Sequence, residues 1–303
     1  MLLDTASLYF RAFYGVPDTM RAPDGTPVNA VRGLLDFISR LVEEYEPTHL
    51  ACCWDNDWRP QWRVDLIPSY KAHRVEVVVP GGSDIEEVPD PLQVQIPVII
   101  DVLNAFGIAV VGADGYEADD VIGTLATDAG MPVEIVTGDR DLFQLVTDDG
   151  PVRVLYAVEK MKPYGEAEVA AKHAIPGRHY ADFAVLRGDP SDGLPGVKGI
   201  GEKTAAALVC RFGSVEAILA ALDSGSEDGF PSGARAKLAA ARDYLAVAPA
   251  VSRVVRDLPI PPLDDTLPRT PRDPAALLAL ADRWGLDSPL ERFLQGLEAA
   301  HAR

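Results

Sequence analysis

Four stretches of this chain read as short buried strands, and each runs into carboxylates. They are Leu2-Leu3-Asp4-Thr5, His49 to Asp55, Ile108 to Val111 and Pro132 to Thr137. The acids at their ends are Asp4, Asp55, the group Glu117, Asp119 and Asp120, and the pair Asp139 and Asp141. Between the strands, Val31 to Val42 repeats apolar residues at helical spacing, and Ile96 to Phe106 is a helix closed by Gly107. Strands alternating with helices predict a mainly parallel sheet, whose ligands gather at the C-terminal strand edge. Taken singly, Asp4 or Asp55 reads as a turn or cap residue. Aligned on one edge, these acids point to a shared site for hard divalent cations, which take oxygen ligands.

The acids are densest in Gly115-Tyr116-Glu117-Ala118-Asp119-Asp120-Val121-Ile122-Gly123. Like charges at helix spacing repel. A helix N-terminus welcomes acids through its free amides and its macrodipole. Capping accounts for one or two of the three carboxylates, and a metal accounts for the rest.

The formal charge of −18 over 303 residues argues at face value against a nucleic-acid partner. Net charge averages over the surface, however, and counts metal-binding carboxylates as bare charges. Two local patches are basic. Arg59, Arg63, Lys71, Arg74 and His73 face only Asp65 between positions 59 and 74, with Trp58, Trp62 and Tyr70 interleaved. That mixture suits single-stranded nucleic acid, and a solvated helical face would show it too. The second patch holds Lys198, Lys203 and Arg211 around Gly196, Gly199 and Gly201, opposed only by Glu202. The glycine spacing is wrong for a dinucleotide fingerprint, and no strand precedes it. It fits a hairpin between helices whose amides face a phosphate.

Other segments frame these features. Residues 75–91, with Pro80-Gly81-Gly82 and Asp84-Ile85-Glu86-Glu87, predict a mobile loop. Beyond Tyr156 the pattern is helical. Ser214 caps a helix through Leu222, 224–229 form a flexible link, Gly233 to Leu245 is one helix, and Pro274 to Leu297 holds two more. No apolar run approaches the ~18 residues of a membrane span. The start has no signal-peptide character, though the first strand has almost no room before it, which points to a true start upstream. Cys52, Cys53 and Cys210 form neither a disulfide framework nor a zinc spacing, and read as buried reduced thiols in a cytosolic protein.

With these residues in view, the chain resembles the bacterial 5′-nuclease family, which includes the 5′-nuclease domain of family A DNA polymerases, phage 5′-nucleases and, more distantly, flap endonucleases. The matches are Leu2-Leu3-Asp4 with Tyr9-Phe10-Arg11-Ala12-Phe13, Pro68-x-Tyr70-Lys71-x-x-Arg74, Gly115 to Asp120, Thr137 to Leu142, and Gly188 to Ala205. The resemblance covers roughly positions 1–260, and with no polymerase following it is to the stand-alone form. It implies an α/β fold: a mainly parallel central sheet flanked by helices (a PIN-like core), a helical arch, and a C-terminal helix-hairpin-helix region. The expected divisions are a core over 1–172 with the arch at about 59–95, a DNA-binding region over 173–260, and C-terminal helices over 261–303 packing back on the core.

The resemblance also implies roles. Two divalent ions, Mg²⁺ or Mn²⁺, about 4 Å apart would activate water and stabilise the leaving oxygen. Asp4, Asp55, Glu117 and Asp119 would hold one ion, with Asp139 shared. Asp141, Asp189 and Asp192 would serve the other, and Asp120 would lie nearby. Lys71 and Arg74 would steer the scissile phosphate. Arg59, Arg63, Tyr70 and Arg140, with Gly196, Lys198, Gly199, Gly201, Lys203 and Thr204 of the hairpin, would contact DNA without reading its sequence. A monovalent cation, K⁺, would sit on the hairpin carbonyls at 196–201. The implied partners are DNA with 5′ ends or flaps, RNA–DNA hybrids, and a functional link to a polymerase and a ligase. The expected protein is a cytoplasmic, nucleoid-associated monomer with no membrane partner.

Two departures stand out. Pro190 and Gly193 replace an acid and an asparagine expected around Asp192, and the arch region is long and acidic. A non-catalytic branched-DNA binding protein is the alternative, which the full carboxylate set argues against. An aspartate-nucleophile phosphohydrolase is disfavoured by Ala6, where such enzymes carry a second Asp.

Overall fold

In the computed structural model the strands among the described residues are β1 (Leu2–Asp4), β2 (Ala51–Trp54), β3 (Val75–Val77), β4 (Ile85–Glu86), β5 (Ala109–Gly112), β6 (Val133–Thr137), β7 (Val152–Tyr156) and β8 (Lys162–Tyr164). Residues 1–79, 82–225 and 228–301 are described. Pro80 and Gly81 of the expected mobile loop, and part of the expected link at Ser226 and Glu227, lie outside the described residues.

Six strands form one sheet in the order β5-β2-β1-β6-β7-β8. The first five are parallel and β8 closes the edge antiparallel to β7. The chain leaves β1 for β2 on one side and reaches β6 on the other, so β1 sits at the point where strand order reverses, and ligands bind beyond such points. Both faces of the sheet are covered, which is why its strands are almost wholly apolar. Side chains alternate between the faces. Leu3, Cys52, Val136 and Leu155 join one core, and Leu2, Ala51, Cys53, Ile135 and Val154 join the other.

The first core is roofed by the helices Asn29–Tyr45 and Gln95–Phe106 and by the C-terminal pair Pro274–Trp284 and Asp287–His301. Phe293 of the last helix meets Phe106 edge-on, with centroids 4.4 Å apart. Gly107 ends its helix in the left-handed conformation, as its position predicts. The second core continues from the helix Ala118–Ala126 into the helices between Tyr180 and Ser252. Ser214 does cap the helix Val215–Asp223, accepting from the Ala217 amide at 3.2 Å. The single helix expected from Gly233 to Leu245 is instead two, Ala234–Ala240 and Arg242–Ser252, breaking at Ala241.

The 59–95 segment is only partly helical. It holds the short helices Gln61–Leu66 and Asp90–Gln93, a 3₁₀ turn at Ala72–Arg74, and the antiparallel pair β3–β4 where a loop was expected. Arg59 staples its base. Its guanidinium pairs with Asp84 and donates to the carbonyls of Tyr70 at 2.6 Å and Pro68 at 3.1 Å. Cys52 and Cys53 are buried as expected, while Cys210 is exposed. Among the described residues, no single helix is long and apolar enough to cross a membrane.

Candidate active site

The C-terminal edge of the sheet opens into a cleft of about 220 Å³ lined by Asp4, Asp55, Glu117, Asp119 and Asp139 together with Lys71, Arg74 and Glu86. Asp4 ends β1 and caps the helix Thr5–Gly15, accepting from Ser7 N at 3.1 Å, while Thr137 Oγ1 donates to its other oxygen at 2.6 Å. Asp55, one residue past β2, accepts from Ala118 N at 2.7 Å. That bond ties the second strand to the start of the acidic helix.

A second group continues from the first. The Asp189–Leu194 turn is closed by two backbone hydrogen bonds of 3.0 and 2.8 Å. The Asp192 carbonyl accepts from Lys71 N at 3.0 Å, and Arg74 reaches the Asp192 carboxylate at 3.7 Å. The whole 69–74 turn therefore docks on 189–194. Gly193 makes this possible: its φ is +70°, and a Cβ there would fall 2.0 Å from the Ser69 carbonyl oxygen. The glycine at this departure from the family pattern is thus required by the docking.

The carboxylates strain against one another. Burial lifts Asp4 to about 7, resisted by the Thr137 hydrogen bond and reinforced by Asp55 and Asp139. Burial, then repulsion from Asp139 and Asp4, pushes Asp119 well above its ordinary value. Burial followed by Asp139, Asp192 and Asp189 does the same to Asp141. Asp55 and Asp192 are raised chiefly by burial. Asp139 is thus the neighbour common to both groups. Oδ1 of Asp141 is buried and, among the described residues, has no hydrogen-bond partner.

Crowded, dehydrated carboxylates with an orphaned oxygen are the donor set that hard divalent ions satisfy. Among the described residues no three acids converge closely enough to enclose an ion by themselves. The acids line a cleft, and Mg²⁺ sites commonly complete their coordination with water and substrate phosphate.

Four expected roles are corrected by burial. Asp120 is fully buried and saturated: Oδ1 accepts from Arg63 Nη2 at 2.7 Å and Val255 N at 2.8 Å, and Oδ2 from Arg63 Nη1 at 2.8 Å and Glu117 N at 3.2 Å. It has no oxygen left for a metal. Arg63, 2% exposed, spends its guanidinium on Asp120, on Glu117 at 2.5 Å and on the Val251 carbonyl at 3.1 Å. Tyr70 is buried with its hydroxyl on Glu117 at 2.6 Å. Arg59 is the staple described above. These three do not offer themselves to DNA. The capping and metal readings of the acidic stretch separate at Asp120 and Asp119 but overlap at Glu117, which forms the capping box with Asp120 and also lines the cleft beside Asp119.

Lys71 and Arg74 do border the cleft. Lys71 Nζ donates to Glu117; burial opposes its charge, but Glu117 keeps it protonated well above the usual lysine range. Arg140 is half-buried beside Asp139. Some supporting residues went unread in the sequence. Thr137 aims Asp4, Arg187 pairs with Asp189 at 3.2 Å, and Glu86 brings an acid of the β3–β4 hairpin into the cleft. Only their place beside the motifs hinted at them.

The glycine-rich turn leads into the helix Glu202–Phe212 and leaves Lys198, Gly199, Gly201 and Lys203 exposed, with Gly196 and Thr204 half-buried. Gly196 has φ +69°, and a Cβ on it would meet Gly188 N at 2.5 Å, so two backbone segments cross there without side chains. Val197 N bonds back to the Leu186 carbonyl at 3.0 Å and fixes the turn on the preceding helix.

Residues 1–174 match the family described as 5′-3′ exonuclease, N-terminal resolvase-like domain, and residues 175–275 the family described as 5′-3′ exonuclease, C-terminal SAM fold. The chain belongs to the 5′-3′ exonuclease family. Among its relatives, a 5′-3′ exonuclease of Streptomyces coelicolor is 60% identical over 302 residues, spanning 99% of this chain and 100% of that one. A 5′-3′ exonuclease of Mycobacterium tuberculosis is 50% identical over 98% of this chain and 97% of its own length. DNA polymerase I of Mycobacterium bovis is 38% identical over 99% of this chain, but only 32% of that protein is matched. The fold is also that of the T5 D15 protein co-crystallised with metal ions (18% identity, TM-score 0.61, 99% of each chain covered). The catalytic core of Rad2 in complex with DNA substrate shares it too (17% identity, TM-score 0.57, 98% of this chain and 91% of that one). By membership the chain is a nuclease.

Proposed function

We propose that this chain hydrolyses phosphodiester bonds at 5′ ends and flaps of DNA, and in RNA annealed to DNA, in replication and repair alongside a polymerase and a ligase. The observation that carries the reading is the carboxylate cleft lined also by Lys71 and Arg74, whose Asp139 acts on Asp141 and Asp192 as well. Asp4, Asp55 and Asp119 would hold one divalent ion, joined by Glu117 where the ion displaces Lys71 from its Oε1, and Asp141, Asp189 and Asp192 the other, with Asp139 between them. Bound there, such ions supply a nucleophile at neutral pH and stabilise the leaving oxygen.

The chain's own residues supply the rest. Lys71 and Arg74 line the same cleft as the acids and would orient the scissile phosphate there and neutralise its developing charge. Thr137 and Ser7 hold Asp4 in one rotamer. The exposed lysines of the glycine turn would grip the duplex backbone, which sets position but not sequence.

The test is cleavage of a 5′-labelled flap beside a blunt duplex in Mg²⁺, Mn²⁺ or EDTA. Metal-dependent release of a short oligonucleotide cut near the junction is the expected result. Mononucleotides alone would restrict the reading to an exonuclease. Tight flap binding without cleavage in any metal would replace it with a branched-DNA binding protein.

A further inference from the structure

The resemblance implies a monovalent cation on the carbonyls of the glycine turn, but these carbonyls do not fit one. Lys237, on the helix Ala234–Ala240, donates from Nζ to the Gly199 carbonyl at 2.9 Å. The contact involves more than the terminal atom, since a Cβ on Gly199 would stand 3.2 Å from both Cε and Nζ of Lys237. Two other carbonyls of the turn are engaged as well. That of Val197 accepts from Ile200 N at 2.9 Å, and that of Gly201 from Ala205 N at 2.9 Å. A free ion at this turn would have to share the Gly199 oxygen with an ammonium and would be repelled by it.

We propose that Lys237 takes the place of the bound cation. A tethered ammonium stands at the turn at an effective concentration that no buffer ion needs to match. It steadies the Gly199 peptide and places a fixed positive charge beside Lys198, on the edge proposed to meet the duplex. The inference rests on the proposed role of this hairpin as the phosphate grip. Its consequence is specific: duplex affinity does not depend on which monovalent cation is present.

The test is fluorescence anisotropy of a labelled 5′-flap duplex in EDTA, so that nothing is cleaved. KCl, NaCl and tetramethylammonium chloride are compared at equal ionic strength. At fixed ionic strength the general counterion effect is constant, so Kd for the unaltered protein changes by less than about twofold among the salts. Loss of a charge-assisted contact makes Lys237→Met roughly tenfold weaker in tetramethylammonium, with KCl restoring much of the loss. Lys237→Arg, which keeps the charge, binds as the unaltered protein does. Binding by the unaltered protein that is several-fold tighter in KCl than in tetramethylammonium overturns the proposal, and that comparison needs no variant to fold. So does a folded Lys237→Met that binds normally in all three salts. An unaltered protein that binds no flap in any salt would instead remove the nuclease reading and this inference together.

Discussion

Arg63 holds Asp120 by both ends of its guanidinium, Nη2 to Oδ1 at 2.7 Å and Nη1 to Oδ2 at 2.8 Å, in a region closed to solvent. The same guanidinium reaches Glu117 and the Val251 carbonyl. It is thus an internal counter-ion, which lets an acid-rich helix start pack against both the 61–66 and the 242–252 helices without a metal.

Removing one partner of such a pair strands a buried charge and costs about 3–5 kcal/mol. Arg63→Met is expected to lose stability on that scale in urea unfolding. Asp120→Asn should lose stability as well while keeping Mn²⁺ affinity, measured by calorimetry on the folded protein. A large loss of Mn²⁺ binding by folded Asp120→Asn would make Asp120 a ligand after all.

Asp119 makes the complementary case, because it lines the cleft among like charges. Asp119→Asn should slow flap cleavage by roughly a hundredfold or more, the effect of several kcal/mol of lost charge stabilisation. Flap affinity in EDTA should be unchanged or slightly tighter, as one repelling charge is gone. Full activity in this variant would remove the metal-site argument.

Lys198 and Lys203 are exposed on the glycine turn and the helix after it. If each neutralises one phosphate, Lys198→Ala with Lys203→Ala should flatten the slope of log K against log salt by about 2. Equilibrium binding across a salt series measures it. An unchanged slope would place the phosphate grip elsewhere.

His173 gives a pH dependence whose sign is fixed. Burial lowers its pKa to about 4, with Lys172, Arg187 and Arg140 adding repulsion, and its buried Nε2 has no partner among the described residues. The unfolded chain takes up the proton near 6.5 and the folded one only near 4, so this contribution is present above 6.5 and lost as pH falls through 4. The thermal midpoint of the unaltered protein should therefore drop more steeply between those pH values than that of His173→Gln. Parallel curves would show that the ring titrates freely in the fold.

Much of this architecture is legible in local pattern. Apolar runs ending in acids mark β1, β2 and β6 because strand and edge are adjacent in the chain. Gly107 and Ser214 mark helix ends because capping acts over a few residues. The places of Asp4, Asp55 and Asp139 in the cleft follow from the same adjacency, once the strands are parallel. The basic stretch 59–74 is where local reading fails. Arg59, Arg63 and Tyr70 have the composition of a nucleic-acid surface, yet their partners are Asp84, Glu117, Asp120 and the Val251 carbonyl, up to 188 residues away. Charge and aromaticity are properties of a residue, and their spacing is visible in the chain. Which charges are buried and paired depends on contacts between distant segments. Only the packing of the 59–74 segment against the acidic helix and the 189–194 turn decided that Arg63 and Tyr70 face inward while Lys71 and Arg74 border the cleft.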